Sequence, residues 1–261
     1  MTIAKLKQRL RNKAIDDAII SAVLDVPRIQ FSDCDEISDT DAALCVEVKR
    51  IGRELAYKRG KWRFYDLPLI ITPDVIPPCP DSEILVQTTI TKLKDICDPK
   101  ILDVGTGSGA LGIAIAKNVN CDLFMSDISK DALAIATKNA SLNAVKVKSV
   151  TSDMFKQIEN KFDIIVSSLP QITTQRVNEL AQQGRLYMPR IAIDGGEDGL
   201  EYIRIFATEA SNYLNDGGLL LLVIGYDPTS VIQIFTDSSW KNIETVKDIN
   251  GFPRVLIAQK P

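Results

Sequence analysis

Residues 101–110, Ile-Leu-Asp-Val-Gly-Thr-Gly-Ser-Gly-Ala, constrain the fold more than any other stretch of the chain. An apolar run of strand type ends in Gly105, Gly107 and Gly109 and passes directly into a helical pattern. Glycines allow a tight turn there and let a ligand approach the backbone with no Cβ in the way. A turn of this kind, at the carboxyl end of a buried strand, belongs to an open α/β sheet that binds its ligands in the crevice above. Asp127 follows about twenty residues later at the end of the next apolar run, where a carboxylate can accept hydrogen bonds from two ribose hydroxyls.

The surrounding pattern agrees. Short apolar runs at 101–104, 123–125, 145–150, 162–166 and 219–224 alternate with helical candidates at 110–118, 131–143 and 200–214. Strand–helix alternation predicts a doubly wound, mostly parallel sheet, Rossmann-like in class. Residues 254–259 would add an antiparallel strand at or near one edge. Ahead of the sheet, Ile15, Ile19 and Val23, then Leu44, Val48, Ile51 and Leu55, form two amphipathic stripes on either side of an acidic loop. The expected division is a small helical domain over 1–60, a hairpin and proline-rich linker over 61–80, and a catalytic domain over 81–261.

Composition narrows the chemistry. The chain has no histidine, which removes the usual general base, the Ser-His-Asp and Cys-His arrangements and most catalytic zinc sites. No carboxylates cluster at metal-ligand spacing, so no metal is expected. Five cysteines with no C-x-x-C pair read as reduced thiols of a cytoplasmic protein. A net charge of −3 argues against a broad nucleic-acid surface, and no apolar run is long enough for a membrane span.

The glycine turn alone fits two ligands, because Ala110 also completes a Gly-x-Gly-x-x-Ala dinucleotide pattern. Two features favour S-adenosylmethionine. Asp103, two residues before the first glycine, would receive the ligand's ammonium group but would repel a pyrophosphate. Asp153 and Met154, after the third apolar run, offer an acceptor for the adenine amino group and an apolar wall. Thr106 in the turn and Ile128 beyond Asp127 complete the candidate cofactor set.

At these residues the chain resembles class I methyltransferases, and more narrowly the peptide-chain release factor N5-glutamine methyltransferases. The resemblance runs from about residue 54 to the end. It includes Ala56-Tyr57, Gly60 through Phe64, Pro80-Asp-Ser-Glu83, Asp194-Gly-Gly-Glu-Asp-Gly-Leu200, Ile224-Gly-Tyr-Asp227 and Lys247-Asp248 through Arg254. The family carries Asn-Pro-Pro-Tyr after the fourth strand, where the Asn side chain and a proline carbonyl hold the acceptor amide. This chain reads Ser168-Leu-Pro-Gln171 in that frame and keeps only Pro170, and Cys79 stands where the family has Arg between two prolines. The resemblance therefore implies catalytic positions at Ser168, Pro170 and Gln171.

Both departures lie on the acceptor side. The expectation is an S-adenosylmethionine-dependent enzyme with an altered substrate, a small-molecule acceptor, or the cofactor itself cyclising to a small amino acid plus methylthioadenosine. The alternatives are methylation of a release-factor glutamine and a non-catalytic binding protein.

Overall fold

The computed structural model describes residue 2 and residues 54–225, 227–248 and 251–261. The two amphipathic stripes and the acidic loop between them therefore lie outside the described residues, except for the last turn of the second stripe. That turn begins helix α1 (Glu54–Arg59), which leads into a hairpin of β1 (Lys61–Phe64) and β2 (Leu67–Ile70). Tyr65 and Asp66 between the strands both have positive φ, 49° and 61°, as a two-residue turn matching strand twist requires.

The sheet alternates with helices in chain order: α2 (Glu83–Lys92), β3 (Lys100–Val104), α3 (Ala110–Asn118), β4 (Asp122–Asp127), α4 (Lys130–Leu142), β5 (Lys148–Thr151), β6 (Phe162–Ser167), α5 (Thr174–Gln182), α6 (Glu201–Glu209), β7 (Leu214–Val223), α7 (Pro228–Asp237), β8 (Lys241–Lys247) and β9 (Pro253–Gln259). The seven strands lie in the order β5-β4-β3-β6-β7-β9-β8, and β3 through β7 run parallel. The class is thus the Rossmann-like α/β sheet expected. The terminal strand is antiparallel and sits between β7 and β8, one position inside the edge.

Side chains alternate across the sheet. Ile101, Met125, Ile164, Leu221 and Val255 pack with α2, α3, α4 and the hairpin, while Leu102, Ile165, Leu220 and Leu256 pack with α6 and α7. Both faces are covered, which is why these strands read as continuous apolar runs. Besides its apolar contacts, the hairpin is tied to α4 by two buried side chains, Asn143, which donates to Pro68 O at 2.9 Å, and Asn139. Asn139 on α4 accepts from Ile70 N at 2.7 Å, donates to Ile70 O at 3.0 Å, and donates to Ser108 O in the glycine turn at 2.9 Å.

Several boundaries differ from the sequence pattern. The helix expected over 200–214 ends at Glu209, passes through one 3-10 turn (Ala210–Tyr213), and gives way to β7 at Leu214. The strand expected over 219–224 starts earlier, because β7 takes in Asn215 through Gly218 as an irregularity in its pairing with β6 between Phe162 and Ile164. The strand expected over 145–150 begins only at Lys148; Ala144 at φ 53° ends α4, and Val145 N bonds back to Ala140 O at 2.9 Å. β8 has no continuous apolar run, because as the edge strand it is half exposed. In α2, Thr88, Thr89 and Thr91 hide the helical pattern; each hydroxyl donates to the carbonyl four residues back.

Candidate active site

The strand order reverses at β3: β4 and β5 lie on one side of it, β6 and β7 on the other. The loops leaving β3 and β6 therefore diverge at their carboxyl ends and open the crevice where such sheets bind ligands. Every residue of the candidate cofactor and acceptor sets lies on a strand end or loop around this point.

Asp103 points toward α3. Its Oδ2 accepts from Thr106 Oγ1 at 2.7 Å and from Gly112 N at 3.0 Å, so it caps the first turn of α3 and shapes the glycine turn together. Its Oδ1 is buried with no partner among the described residues. Burial raises the carboxyl to about 7, against the opposing pull of its two donors, and nearby Asp127 pushes it the same way. A buried, half-satisfied carboxyl favours a cationic ligand group over an anionic one.

The three glycines answer to different demands. Gly107 has φ 55° and nothing within 4 Å of where its Cβ would be, so it opens on space for a ligand. Gly109, at φ 82°, would drive a Cβ to 2.7 Å from Ile113 and 3.2 Å from Ala136, so it permits α3 and α4 to pack closely. Gly105, at φ 64°, faces Leu169 of the loop after β6, whose Cδ2 would be 3.7 Å from a Cβ there.

Asp127 ends β4. Its Oδ2 accepts from Gly107 N at 2.8 Å and its Oδ1 from Ser129 N at 2.9 Å, so the carboxylate ties the two loops that border the crevice. Burial raises its pKa, and the backbone donors work against that rise. Ile128 follows as an exposed apolar side chain at the rim. The strand pairing continues past β5 through Ser152 N to Asp127 O at 2.9 Å, which brings Asp153 and Met154 alongside. Met154 is held at φ 48° with Ser152 Oγ donating to its carbonyl at 2.8 Å. Asp153 sits nearer solvent, with its Oδ2 2.6 Å from Lys156 Nζ.

On the opposite wall, Ser167 ends β6 with its hydroxyl donating to Val104 O at 2.7 Å, across to β3. Ser168 is exposed at the crevice, Leu169 is buried against the glycine turn, and Pro170 is half-buried. Gln171 spends its side-chain amide on backbone: Nε2 donates to Val223 O at 2.9 Å and Oε1 accepts from Gly225 N at 2.6 Å. Behind this loop runs the segment carrying Asp194 through Gly199. Gly195 N donates to Ile172 O at 2.8 Å, and Asp194 accepts from Thr174 Oγ1 at 2.6 Å. A Cβ on Gly195 would come within 2.8 Å of Pro170 O, and one on Gly199 within 2.8 Å of Gln171 O.

Arg254 closes the far end. It reaches Asp248 at 2.8 Å and Asp81 at 3.5 Å, so the Pro80–Ser82 turn, with Cys79 beside it, rests on the start of β9.

Gly112, Asn139 and Ser167 escaped the sequence reading as contributors, and Gly225 entered it only within Ile224-Gly-Tyr-Asp227. Gly112 lies on the face of α3 toward Asp103, where a Cβ would come within 3.0 Å of Oδ2. A small residue at that helix position was the only available signal. Among the described residues, no group of three His, Cys, Asp or Glu could hold a metal, and no helix is long and apolar enough to cross a membrane.

These residues fit S-adenosylmethionine, with a half-paired carboxyl for its ammonium group, an open glycine for close backbone approach and a second carboxylate for ribose hydroxyls. Comparisons with known proteins agree. The family model described as "Methyltransferase small domain" matches residues 80–186. Release factor glutamine methyltransferases match most of the chain. The protein from Fusobacterium nucleatum is 33% identical over 97% of this chain and 75% of its own length. The one from Thermodesulfovibrio yellowstonii is 35% identical over 93% of this chain and 90% of its own length. Among solved structures, the ribosomal protein L11 methylase from Lactobacillus delbrueckii superposes with a TM-score of 0.53 at 20% identity, covering 70% of this chain and 81% of that one. A 16S rRNA methyltransferase of T. thermophilus, solved with AdoMet and guanosine, gives 0.54 at 21% identity over 71% of this chain and 44% of that one. The chain is an S-adenosylmethionine-dependent methyltransferase and belongs to the release factor glutamine methyltransferase family.

Proposed function

We propose that the enzyme methylates the side-chain amide nitrogen of a glutamine in a peptide-chain release factor. The observation that carries this reading is the contact between the two loops: Leu169, one residue past Ser168, lies against Gly105 of the cofactor turn. An acceptor held at Ser168 and Pro170 thus sits beside whatever the glycine turn binds. The relatives bear on the acceptor as well as on the cofactor, because they match 97% and 93% of this chain, far beyond the cofactor turn. That extent favours the protein glutamine over the small-molecule acceptor suggested by the Ser168-Leu-Pro-Gln171 departure.

The division of labour follows from the side chains. Asp103 and Asp127 hold the amino-acid and ribose ends of the cofactor, with Ile128, Asp153 and Met154 around its base. When bound, S-adenosylmethionine supplies a sulfonium methyl whose bond to sulfur breaks as the bond to the amide nitrogen forms, leaving a neutral thioether. The Ser168 hydroxyl accepts one amide hydrogen and the Pro170 carbonyl the other, which fixes the amide plane so that one face of the nitrogen, where its lone pair lies, is presented to the methyl group. The chain has no histidine to take up the displaced proton, which passes to solvent at the exposed side of Ser168. Catalysis here is orientation, with little acid–base work.

The test is mass spectrometry of a release factor carrying its Gly-Gly-Gln loop after incubation with enzyme and S-adenosylmethionine. One methyl group on that glutamine is the expected result. An unmodified glutamine with methylthioadenosine accumulating would overturn this reading in favour of cyclisation of the cofactor itself.

A further inference from the structure

The parallel pairing of β6 with β7 ends at Ser167 opposite Leu222, yet the order of the loop beyond it does not end there. In a parallel ladder, one residue donates to the carbonyl before its neighbour and accepts from the N–H after it. The side-chain amide of Gln171 makes this pair of bonds around Ile224, donating to Val223 O at 2.9 Å and accepting from Gly225 N at 2.6 Å. Ile224's own N–H is taken on the other side by Arg254 O at 2.8 Å. One side chain thus stands in for the next backbone rung of the sheet. The remaining Nε2 hydrogen goes to Leu169 O at 3.3 Å and folds the loop onto itself.

Space has been cleared for this amide. A Cβ on Gly225 would fall 2.9 Å from Gln171 Oε1 and 3.3 Å from its Cδ, and Gly225 does not have positive φ. It is glycine because the amide lies against it. Gly195 and Gly199 admit the backbone of Pro170 and Gln171 from the other flank. The loop is pinned between two glycine-bearing walls, and Gln171 supplies the hydrogen bonds to one of them.

We infer that Gln171 is a positioning residue. It latches the 168–171 loop to the end of β7 and so sets where the Ser168 hydroxyl and the Pro170 carbonyl stand, without touching the acceptor itself. The catalytic half of this inference rests on the acceptor binding at Ser168 and Pro170 as proposed above. The latch does not.

Two variants test it. Gln171→Leu removes both bonds, and Gln171→Glu removes the donor while its carboxylate faces the Val223 carbonyl. Site-resolved amide exchange on the protein alone should show ~10-fold faster exchange at Gly225 and at the loop amides Ile172 and Gly195 in Gln171→Leu, the scale of one lost hydrogen bond. Both variants should bind S-adenosylmethionine within about twofold of wild type, because the cofactor's carboxylates are elsewhere. At saturating cofactor, the release-factor methylation rate of Gln171→Glu should fall ~10–100-fold relative to wild type at pH 8. That ratio should recover as the pH is lowered and the protonated carboxyl regains a donor. Unchanged exchange at Ile172 and Gly195 would overturn the latch. Faster exchange with an unchanged, pH-independent rate ratio would overturn the positioning role. A wild type that leaves release factor unmodified would refute the acceptor and with it the positioning role, while the exchange rates still decide the latch.

Discussion

Replacing Asp103 by Asn separates what this carboxyl costs the empty fold from what it contributes to binding. Its pKa rises from 3.8 to about 7 because it is fully buried. A raised folded pKa means that the folded state holds the proton more tightly than the unfolded chain does. The group's stability is therefore complete below pH 4, declines as the pH climbs through 4–7, and is flat above. About three pKa units at about 1.4 kcal/mol each put the ionised fold about 4 kcal/mol above a neutral reference at pH 8. Asn keeps both existing hydrogen bonds, since its oxygen can take the place of Oδ2 toward Thr106 and Gly112. Its NH2 then stands where Oδ1 lies buried without a partner, at a cost of about 1–3 kcal/mol. Without cofactor, Asp103→Asn should thus be more stable than wild type at pH 8 by about 1–3 kcal/mol, on the order of 2–8 °C in Tm, and should lose that advantage toward pH 4. Binding should change in the opposite direction. An ionised Asp103 favours the ligand's ammonium, so wild-type affinity should rise between pH 6 and 8. Asp103→Asn should bind ~10–100-fold more weakly at pH 8 with little pH dependence. Thermal denaturation across pH and calorimetry in buffers of different ionisation enthalpy read the two arms. Parallel stability curves for the two proteins between pH 5 and 8, with equal affinities, would refute the reasoning.

Asp127→Ala should weaken S-adenosylmethionine binding by about 1.5–3 kcal/mol in calorimetry, the usual loss for hydrogen bonds to a charged group; an unchanged constant would remove Asp127 from the site. Gly107→Val should abolish binding while costing the fold only about 1–3 kcal/mol, because φ is positive but the space around it is empty. Normal binding by that variant would make the turn a packing device. Asn139→Leu should cost about 2–5 kcal/mol in urea denaturation by leaving Ile70 N–H, Ile70 O and Ser108 O unpaired. A loss below about 1 kcal/mol would mean that apolar contacts and the Asn143 to Pro68 hydrogen bond dock the hairpin without Asn139.

The turn that carries the candidate cofactor residues was legible because it is nearly contiguous in the chain. Asp103, Gly105, Gly107 and Gly109 lie within seven positions, and one strand-to-helix turn brings them together without help from the rest of the fold. Asp127 belongs to the adjacent parallel strand, so its distance from the turn follows from the length of one βα unit. The alternation of apolar runs likewise specified a buried parallel sheet, since strands covered on both faces are apolar along most of their length and carry polar residues mainly at their carboxyl ends. Other features depend on residues far apart in the chain. Gln171 reads as a departure from a family motif, and only the pairing of β6 with β7 turns it into a rung between Val223 and Gly225. Asn139 looks like any polar residue on a helix until the hairpin, 69 positions earlier, lays Ile70 against it. The pKa of Asp103 was equally out of reach, because desolvation depends on how completely α3 and its neighbours close over the carboxyl. Local pattern thus determined the fold class and the cofactor turn, while long-range packing decided which polar groups are satisfied, which are left half-paired and how the acceptor loop is held.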